Sequence, residues 1–388
     1  MQKMKRAMVL FFVLMAGMAV SALITVHQLP DELTVCHSGS SQLSTFLPVS
    51  VDYKEENGGL AQARLFGVLG VKKVNIRRES PRKVLLAGTL FGLKMYSDGV
   101  MVVGLSDFQS NGSDVNPARE AGISSGDIIR SAGGKKVYTN EEFAGIIKKS
   151  HGAVNIEITD SQGNEKKVSL TPAHSDADDC LKTGMWVRDS AAGIGTLTYI
   201  DPESRVFGGL GHGICDADTH SIVPIHAGEI VKASVSNIRR GVRGSAGEIR
   251  GWLGSDELGV LLSNTSCGAF GEYTARLPHL KEYEAAVRQE VRPGKAKILC
   301  TVDSSGKPKL YDIVIDKINY TGDPAKNMII TVTDKKLLQK TGGIIQGMSG
   351  SPIIQSGKFV GAVTHVFVNN PVSGYAIFAE NMLSRENQ

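Results

Sequence analysis

The sequence predicts a mainly β protein that follows an N-terminal apolar segment. Three observations carry this. Glycine is abundant, at 44 of 388 residues, and it recurs between short runs rich in Val, Ile and Thr, the pattern of strands joined by tight turns. Few segments show the 3.6-residue period of an amphipathic helix. One long run, AMVLFFVLMAGMAVSALITV from Ala7 to Val26, carries no charge at all.

A chain of 388 residues is too long for one ordinary core, so two or three domains are expected. Hydrophobic residues at 41% and charged residues at 21% describe a folded globular chain. The formal charge of +4 is small for this length. With no basic stripe interleaved with aromatics, it excludes nucleic acid as a partner. Arg239, Arg240 and Arg243 sit in a Gly/Ser-containing loop and read as a solvated surface. Five scattered cysteines with no C-x-x-C pair form neither a disulfide framework nor a zinc site, and no metal or other cofactor is expected.

From the N-terminus, Lys3, Lys5 and Arg6 precede the uncharged run. A helix of about 20 apolar residues spans a bilayer, and its positive flank stays in the cytoplasm, so the rest of the chain is exported. Small residues at Val20 and Ala22 also suit cleavage after Ala22. Residues 1–26 are therefore an anchor or a removable signal. Residues 27–83 read as a tether, polar up to about residue 50, and then a β segment, since Ala63 to Val74 alternates apolar and polar residues between glycines.

Residues 84–174 have the pattern of a small mixed domain. Gly99–Val103 reads as a buried strand, Asn116–Gly122 as a short helix ended by glycine, and Gly126–Ile129 as the start of another strand. Thr139 and Glu142 have the spacing of a capping box for a helix over Glu141–Lys149. Val154–Ile158 and Lys167–Leu170 supply a closing hairpin. The stretch PARE-AGI-SSGDIIRSAGGKKV resembles PDZ domains of bacterial envelope proteases. That resemblance implies that Leu90, Phe91, Gly92 and Leu93 form a carboxylate-binding loop, where a peptide adds as a strand. The acidic stretch Ser175–Asp179 reads as a linker, and residues 183–388 as a predominantly β domain.

Chemistry concentrates in Gln346-Gly347-Met348-Ser349-Gly350-Ser351-Pro352. A serine hydroxyl needs a base to take its proton and fixed donors for the oxyanion formed on attack. A glycine-flanked turn supplies both the exposed hydroxyl and the donors, here the N–H groups of Gly347 and Ser349. Ser349 is preferred to Ser351 because its flanking glycines match the turn of chymotrypsin-like proteases, although Met348 and Ser351 depart from that turn. The preferred base is His212, in the glycine-rich stretch Gly209–Ile214; His220, His226 and His365 compete. Asp334 and Asp256 are both candidate orienting acids, and both also suit strand-end turns. Cys267 is a rival nucleophile without a matching histidine motif.

The stretches GLGHGI and GMSGSPIIQSGKFVGAVTHVFVNNP, behind an apolar segment and a PDZ-like region, resemble the stage IV sporulation protein B peptidases of spore-forming bacteria. The resemblance implies a chymotrypsin-like double β-barrel serine endopeptidase with His212, Asp334 and Ser349 as its catalytic residues. It also implies export from the forespore into the space between the two spore membranes. There the enzyme cuts itself and a regulatory membrane protein that restrains an intramembrane metalloprotease, which activates a late mother-cell sigma factor. The rival reading is a catalytically inactive envelope scaffold whose PDZ domain binds peptides.

Overall fold

The computed structural model describes residues 2–36, 39–53 and 59–385. The uncharged run lies in one helix, Gln2–His27, whose section Met8–His27 is long and apolar enough to cross a membrane. A helix is the economical form for such a run, because it satisfies every backbone group internally.

Residues 27–50 are not a tether. Glu32–Val35, Leu69–Arg78, Gly59–Leu65, Val49–Tyr53 and Gly39–Leu43 form, in that order, a five-stranded sheet. Leu29, Leu33 and Val35 are buried in the same apolar cluster as Val291 and Ile298 far along the chain. Their burial outweighs the polar composition around them, since each large apolar side chain removed from water contributes about 1.5–3 kcal/mol. Thr34 Oγ1 donates to Glu380 at 2.9 Å and the Ser44 N–H to the Tyr320 hydroxyl at 3.0 Å, which ties this unit to the C-terminal part of the molecule.

Two long strands, Lys83–Leu105 and Met185–Ile200, organise the middle of the chain. They pair antiparallel along nearly their whole lengths, from Met185 opposite Leu105 to Ile200 opposite Leu85. The other edge of the first long strand pairs with Ile225–Arg239, with Ile225 opposite Ser97 and Lys232 opposite Phe91. Together with Val206–Gly209, Gly268–Glu272 and Glu248–Thr265, these strands close into a first barrel. A second closed barrel is built from Gly294–Cys300, Lys309–Ile318, Met328–Val332, Asn370–Phe378, Lys358–Phe367 and Pro352–Gln355.

The mixed unit is an insertion in the first barrel. It leaves at Gly99, where φ of +109° turns the strand, and returns at Met185–Arg188, which pair with Met101–Leu105. Within it lie the helix Pro117–Glu120, N-capped by Asn116, and the helix Asn140–Lys148, where Thr139 and Glu142 make both reciprocal capping-box bonds. The strands Val154–Thr159 and Glu165–Leu170 form the closing hairpin.

Three expectations change accordingly. The boundary at residue 84 moves, because Lys83–Ser97 is a barrel strand. The linker at Ser175–Asp179 is a small hairpin, in which Ala173–Ser175 pairs with Cys180–Lys182 and Asp176 accepts from the N–H groups of Asn111 and Gly112. Leu90–Leu93 is not a peptide-binding loop. Its residues pair with Gly193–Thr196 on one side, Phe91 to Leu93 pair with Ile230–Lys232 on the other, and Phe91 is fully buried. No backbone edge remains there for a peptide.

Candidate active site

Ser349 stands in the turn before the second-barrel strand Pro352–Gln355, and His212 in the turn after the first-barrel strand Val206–Gly209. The two turns meet where the barrels touch. The second-long-strand residue Thr196 donates its N–H to the Ser349 carbonyl at 2.9 Å and its hydroxyl to the Gly347 carbonyl at 2.8 Å. Two residues on, at an irregularity of the strand between Leu197 and Tyr199, the Thr198 hydroxyl donates to the Gly350 carbonyl at 2.7 Å. Both threonines are fully buried. Gly350 (φ +93°) lies so close to this strand that a Cβ on it would stand 2.1 Å from the Thr196 carbonyl oxygen. Only glycine fits there.

His212 is held by a backbone rarely used by side-chain-bearing residues, with Leu210 at φ 67° and Gly211 at φ 72°. This carries the imidazole to the second barrel, where its ring centroid lies 4.7 Å from that of His365. Ser349 Oγ reaches the same spot, donating to the carbonyl of the adjacent Thr364 at 2.7 Å. The structure thus places Ser349 against Thr364 and His212 against the next residue, His365. In this arrangement the hydroxyl rests on a carbonyl rather than on the imidazole.

His212 Nδ1 is 2.8 Å from the carbonyl of Gly213. A carbonyl can only accept, so Nδ1 carries the proton and Nε2 is left with its lone pair, the state a general base needs. Desolvation holds the His212 pKa below the ordinary histidine value, partly offset by that carbonyl. For His365, burial, the neighbouring His212 and Lys326 together push the pKa down to about 4, against the opposing pull of Asp323.

Two N–H groups of the serine turn, those of Gly347 and Ser349, have no hydrogen-bond acceptor among the described residues. The Ile249 N–H donates to the Gln346 carbonyl at 2.8 Å, which fixes the peptide plane carrying the Gly347 N–H. Ser351, by contrast, is fully buried and its Oγ has no hydrogen-bond partner among the described residues. Cys267 is also buried, and desolvation raises its thiol pKa, the opposite of what a nucleophilic thiolate requires.

Among the described residues, no aspartate is hydrogen-bonded to the His212 imidazole. Asp334 is the N-cap of the helix Lys335–Thr341, its Oδ1 accepting from the N–H groups of Lys336 and Leu337 at 2.9 and 3.0 Å. Its Oδ2 faces the Asp312 N–H at 3.4 Å. It lies four residues beyond Ile330, which shares a rung with Gly374 and Val366 beside His365. That separation is roughly 13 Å of extended chain. Asp256 is exposed on the strand Glu248–Thr265, and its neighbour Glu257 pairs with Val231. No hydrogen bond joins either carboxylate to His212 among the described residues. The Gly213 carbonyl occupies the place an acid would take.

Sequence reasoning missed Thr196, Thr198, and the carbonyls of Gly213 and Thr364. A signal existed for the threonines, since both are polar residues in a strand segment otherwise made of Leu197, Tyr199 and Ile200. The Asp334 cap was also readable, as Asp before Lys335–Thr341 with Gly342 directly after.

Comparison with known proteins adds four findings. The family model described as SpoIVB peptidase S55 matches residues 179–383, more than half of the chain. Among solved structures, the active form of the Rv3671c protease from M. tuberculosis is 14% identical with a TM-score of 0.30, over 50% of this chain and 73% of that one. The inactive form of Rv3671c is 14% identical with a TM-score of 0.26, over 50% and 82%. The comparison with curated proteins returns no match. The chain belongs to the SpoIVB peptidase S55 family and is a serine peptidase.

Proposed function

We propose that Ser349 is the nucleophile and His212 the base of a chymotrypsin-like endopeptidase, with the N–H groups of Gly347 and Ser349 as its oxyanion hole. The observation that carries this reading is the convergence of the serine turn of one barrel and the histidine turn of the other on Thr364–His365. Rotation of the Ser349 side chain away from the Thr364 carbonyl would direct its hydroxyl to His212 Nε2. The imidazole takes the proton as Oγ attacks a peptide carbonyl, then returns it to the leaving amine. The two unpaired N–H groups receive the developing oxyanion, a contribution worth about 3 kcal/mol per donor. Water then releases the acyl-enzyme. The Gly213 carbonyl fixes the tautomer throughout, and Asp334 acts on the site through the helix that it caps, four residues upstream of the serine turn.

Family membership supports a signalling role during sporulation. In this reading the helix Gln2–His27 directs export from the forespore and anchors the chain. The enzyme cuts itself and then a regulatory membrane protein that restrains an intramembrane metalloprotease, which leads to late sigma-factor activation in the mother cell. The inserted unit is read as PDZ-like on the residues of its PARE-AGI-SSGD stretch.

A fluorophosphonate probe, with mass spectrometry of purified wild type beside Ser349→Ala, tests the proposal. Covalent labelling at Ser349 and self-made cuts present only in wild type are expected. An unlabelled wild-type protein would instead favour an inactive scaffold.

A further inference from the structure

The tip of the hairpin between Gly59–Leu65 and Leu69–Arg78 reads Leu65-Phe66-Gly67-Val68-Leu69-Gly70-Val71, with no polar or charged side chain. Turn tips are normally polar. Here Phe66, Val68 and Leu69 are 59%, 85% and 62% exposed, and nearby Phe46 is 62% exposed. Phe46 belongs to the same surface, because the Phe66 N–H donates to the carbonyl of Pro48 at 2.9 Å.

Register fixes where this apolar tip lies relative to the N-terminal helix. Glu32 pairs in parallel with Asn75, and Lys72 Nζ donates to the Leu29 carbonyl at 2.6 Å. Each step back from Glu32 towards the helix is therefore matched by a step back from Asn75 towards the tip. The loop carrying Phe46 is bonded to the last helical turns directly. The Leu47 N–H donates to Thr25 Oγ1 at 3.2 Å, and the Phe46 N–H to Gln28 Oε1 at 2.9 Å. The apolar span ends at His27, so the exposed Phe46, Phe66, Val68 and Leu69 stand at the level where that span meets water.

We infer that this tip is a second membrane contact: Phe66, Val68 and Leu69, with Phe46, enter the headgroup boundary of the bilayer beside the emerging helix. The partner is a lipid surface, because the patch is continuous with a span whose own side chains are exposed to the same medium. Aromatic and aliphatic side chains at that depth gain from leaving water without needing to cross. The contact would set the height and tilt of the peptidase, since the five-stranded unit is bonded to its C-terminal part through Thr34–Glu380 and Ser44–Tyr320. A single helix could not fix that orientation alone.

The inference rests on reading Gln2–His27 as a bilayer anchor, and its test separates the two. The full chain is reconstituted in phosphatidylcholine/phosphatidylglycerol vesicles with its two tryptophans, the exposed Trp186 and Trp252, changed to Phe. A single new tryptophan is then placed as Val68→Trp or, for the helix, Leu14→Trp. Phosphatidylcholine brominated near the top of its acyl chains should quench Val68→Trp at least twofold, with a blue-shifted emission. If Leu14→Trp is quenched by deep bromines while Val68→Trp is untouched, the tip contact is refuted and the anchor stands. If neither is quenched, the anchor reading fails, and the tip contact with it. A blue shift of Val68→Trp that depends on protein concentration and ignores bromine would assign the patch to a second copy of the chain instead.

Discussion

Changing Asp334 to Asn separates two roles that the same residue could play in the peptidase. As a helix N-cap, Asp334 supplies one carboxylate oxygen to two otherwise unpaired N–H groups, those of Lys336 and Leu337. An asparagine side chain offers an amide oxygen at the same place and caps about as well. What it loses is the favourable charge at the helix N-terminus, about 0.3–1 kcal/mol. Asp334→Ala removes the acceptor altogether and should cost roughly 1 kcal/mol of stability. As the orienting acid of a triad, by contrast, replacement by the amide typically lowers turnover about 10⁴-fold while leaving the fold intact, or ~5 kcal/mol of barrier. The assay is the second-order rate of fluorophosphonate labelling at Ser349, read beside the thermal midpoint. Because the Gly213 carbonyl already receives the Nδ1 proton, Asp334→Asn should label within a few-fold of wild type. Asp334→Ala should lower the midpoint by about 1–2 °C. A loss of about four decades in Asp334→Asn with an unchanged midpoint would refute the cap assignment and show that Asp334 reaches the imidazole in the acting state.

The same geometry sets three further outcomes. Burial holds His212 below the ordinary histidine value of 6.5, so the imidazole stays an unprotonated base into mildly acidic solution and the acid limb of the labelling rate should lie below pH 6.5; a limb centred at or above that value contradicts the assignment. For stability the sign comes from His365, whose folded pKa of about 4 lies under its unfolded value: its contribution is complete above pH 6.5 and lost as pH falls towards 4, seen as a falling thermal midpoint. Thr196→Val deletes the hydroxyl that holds the Gly347 carbonyl, leaving a buried acceptor unpaired at a cost of about 1–3 kcal/mol. It should slow labelling at least tenfold while Thr196→Ser restores it, and equal rates in all three proteins would remove Thr196 from the positioning of the serine turn.

Features set by near neighbours in the chain were legible in the sequence. The capping box of Thr139 and Glu142 needs only four consecutive residues, and it forms as read. The β-rich character and the long apolar helix come from composition and from one uninterrupted run. Features set by distant partners were not legible. Leu29, Leu33 and Val35 look like scattered residues of a polar tether, yet they are buried in one cluster with Val291 and Ile298 from far along the chain. The PDZ resemblance makes Leu90–Leu93 a binding loop, yet that strand is paired on both edges by segments about a hundred residues or more further on. The site divides in the same way. The glycine turns around His212 and Ser349 are written locally, whereas the acceptor for the imidazole is a main-chain carbonyl, which no side-chain pattern encodes.

The nesting of the insert changes what counts as the peptidase unit. The matched family region begins at residue 179, but the first barrel also needs residues 85–97 of the first long strand, which lie before the insert. That strand pairs with Met185–Ile200 on one side and with Ile225–Arg239 on the other. A chain starting at 179 would keep both partners and lose the strand between them. It would open the barrel at two edges and uncover the cluster in which Phe91, Leu93 and Met95 meet Leu197, Phe207 and Leu210. Leu210 is the residue whose left-handed backbone presents His212, and Leu197 lies between the two threonines that hold the serine turn. The residues proposed as nucleophile and base thus lie within 179–383, while the packing that positions them depends on a strand outside that range. The insert, joined to the barrel through both long strands, is correspondingly part of the peptidase body rather than a module strung ahead of it.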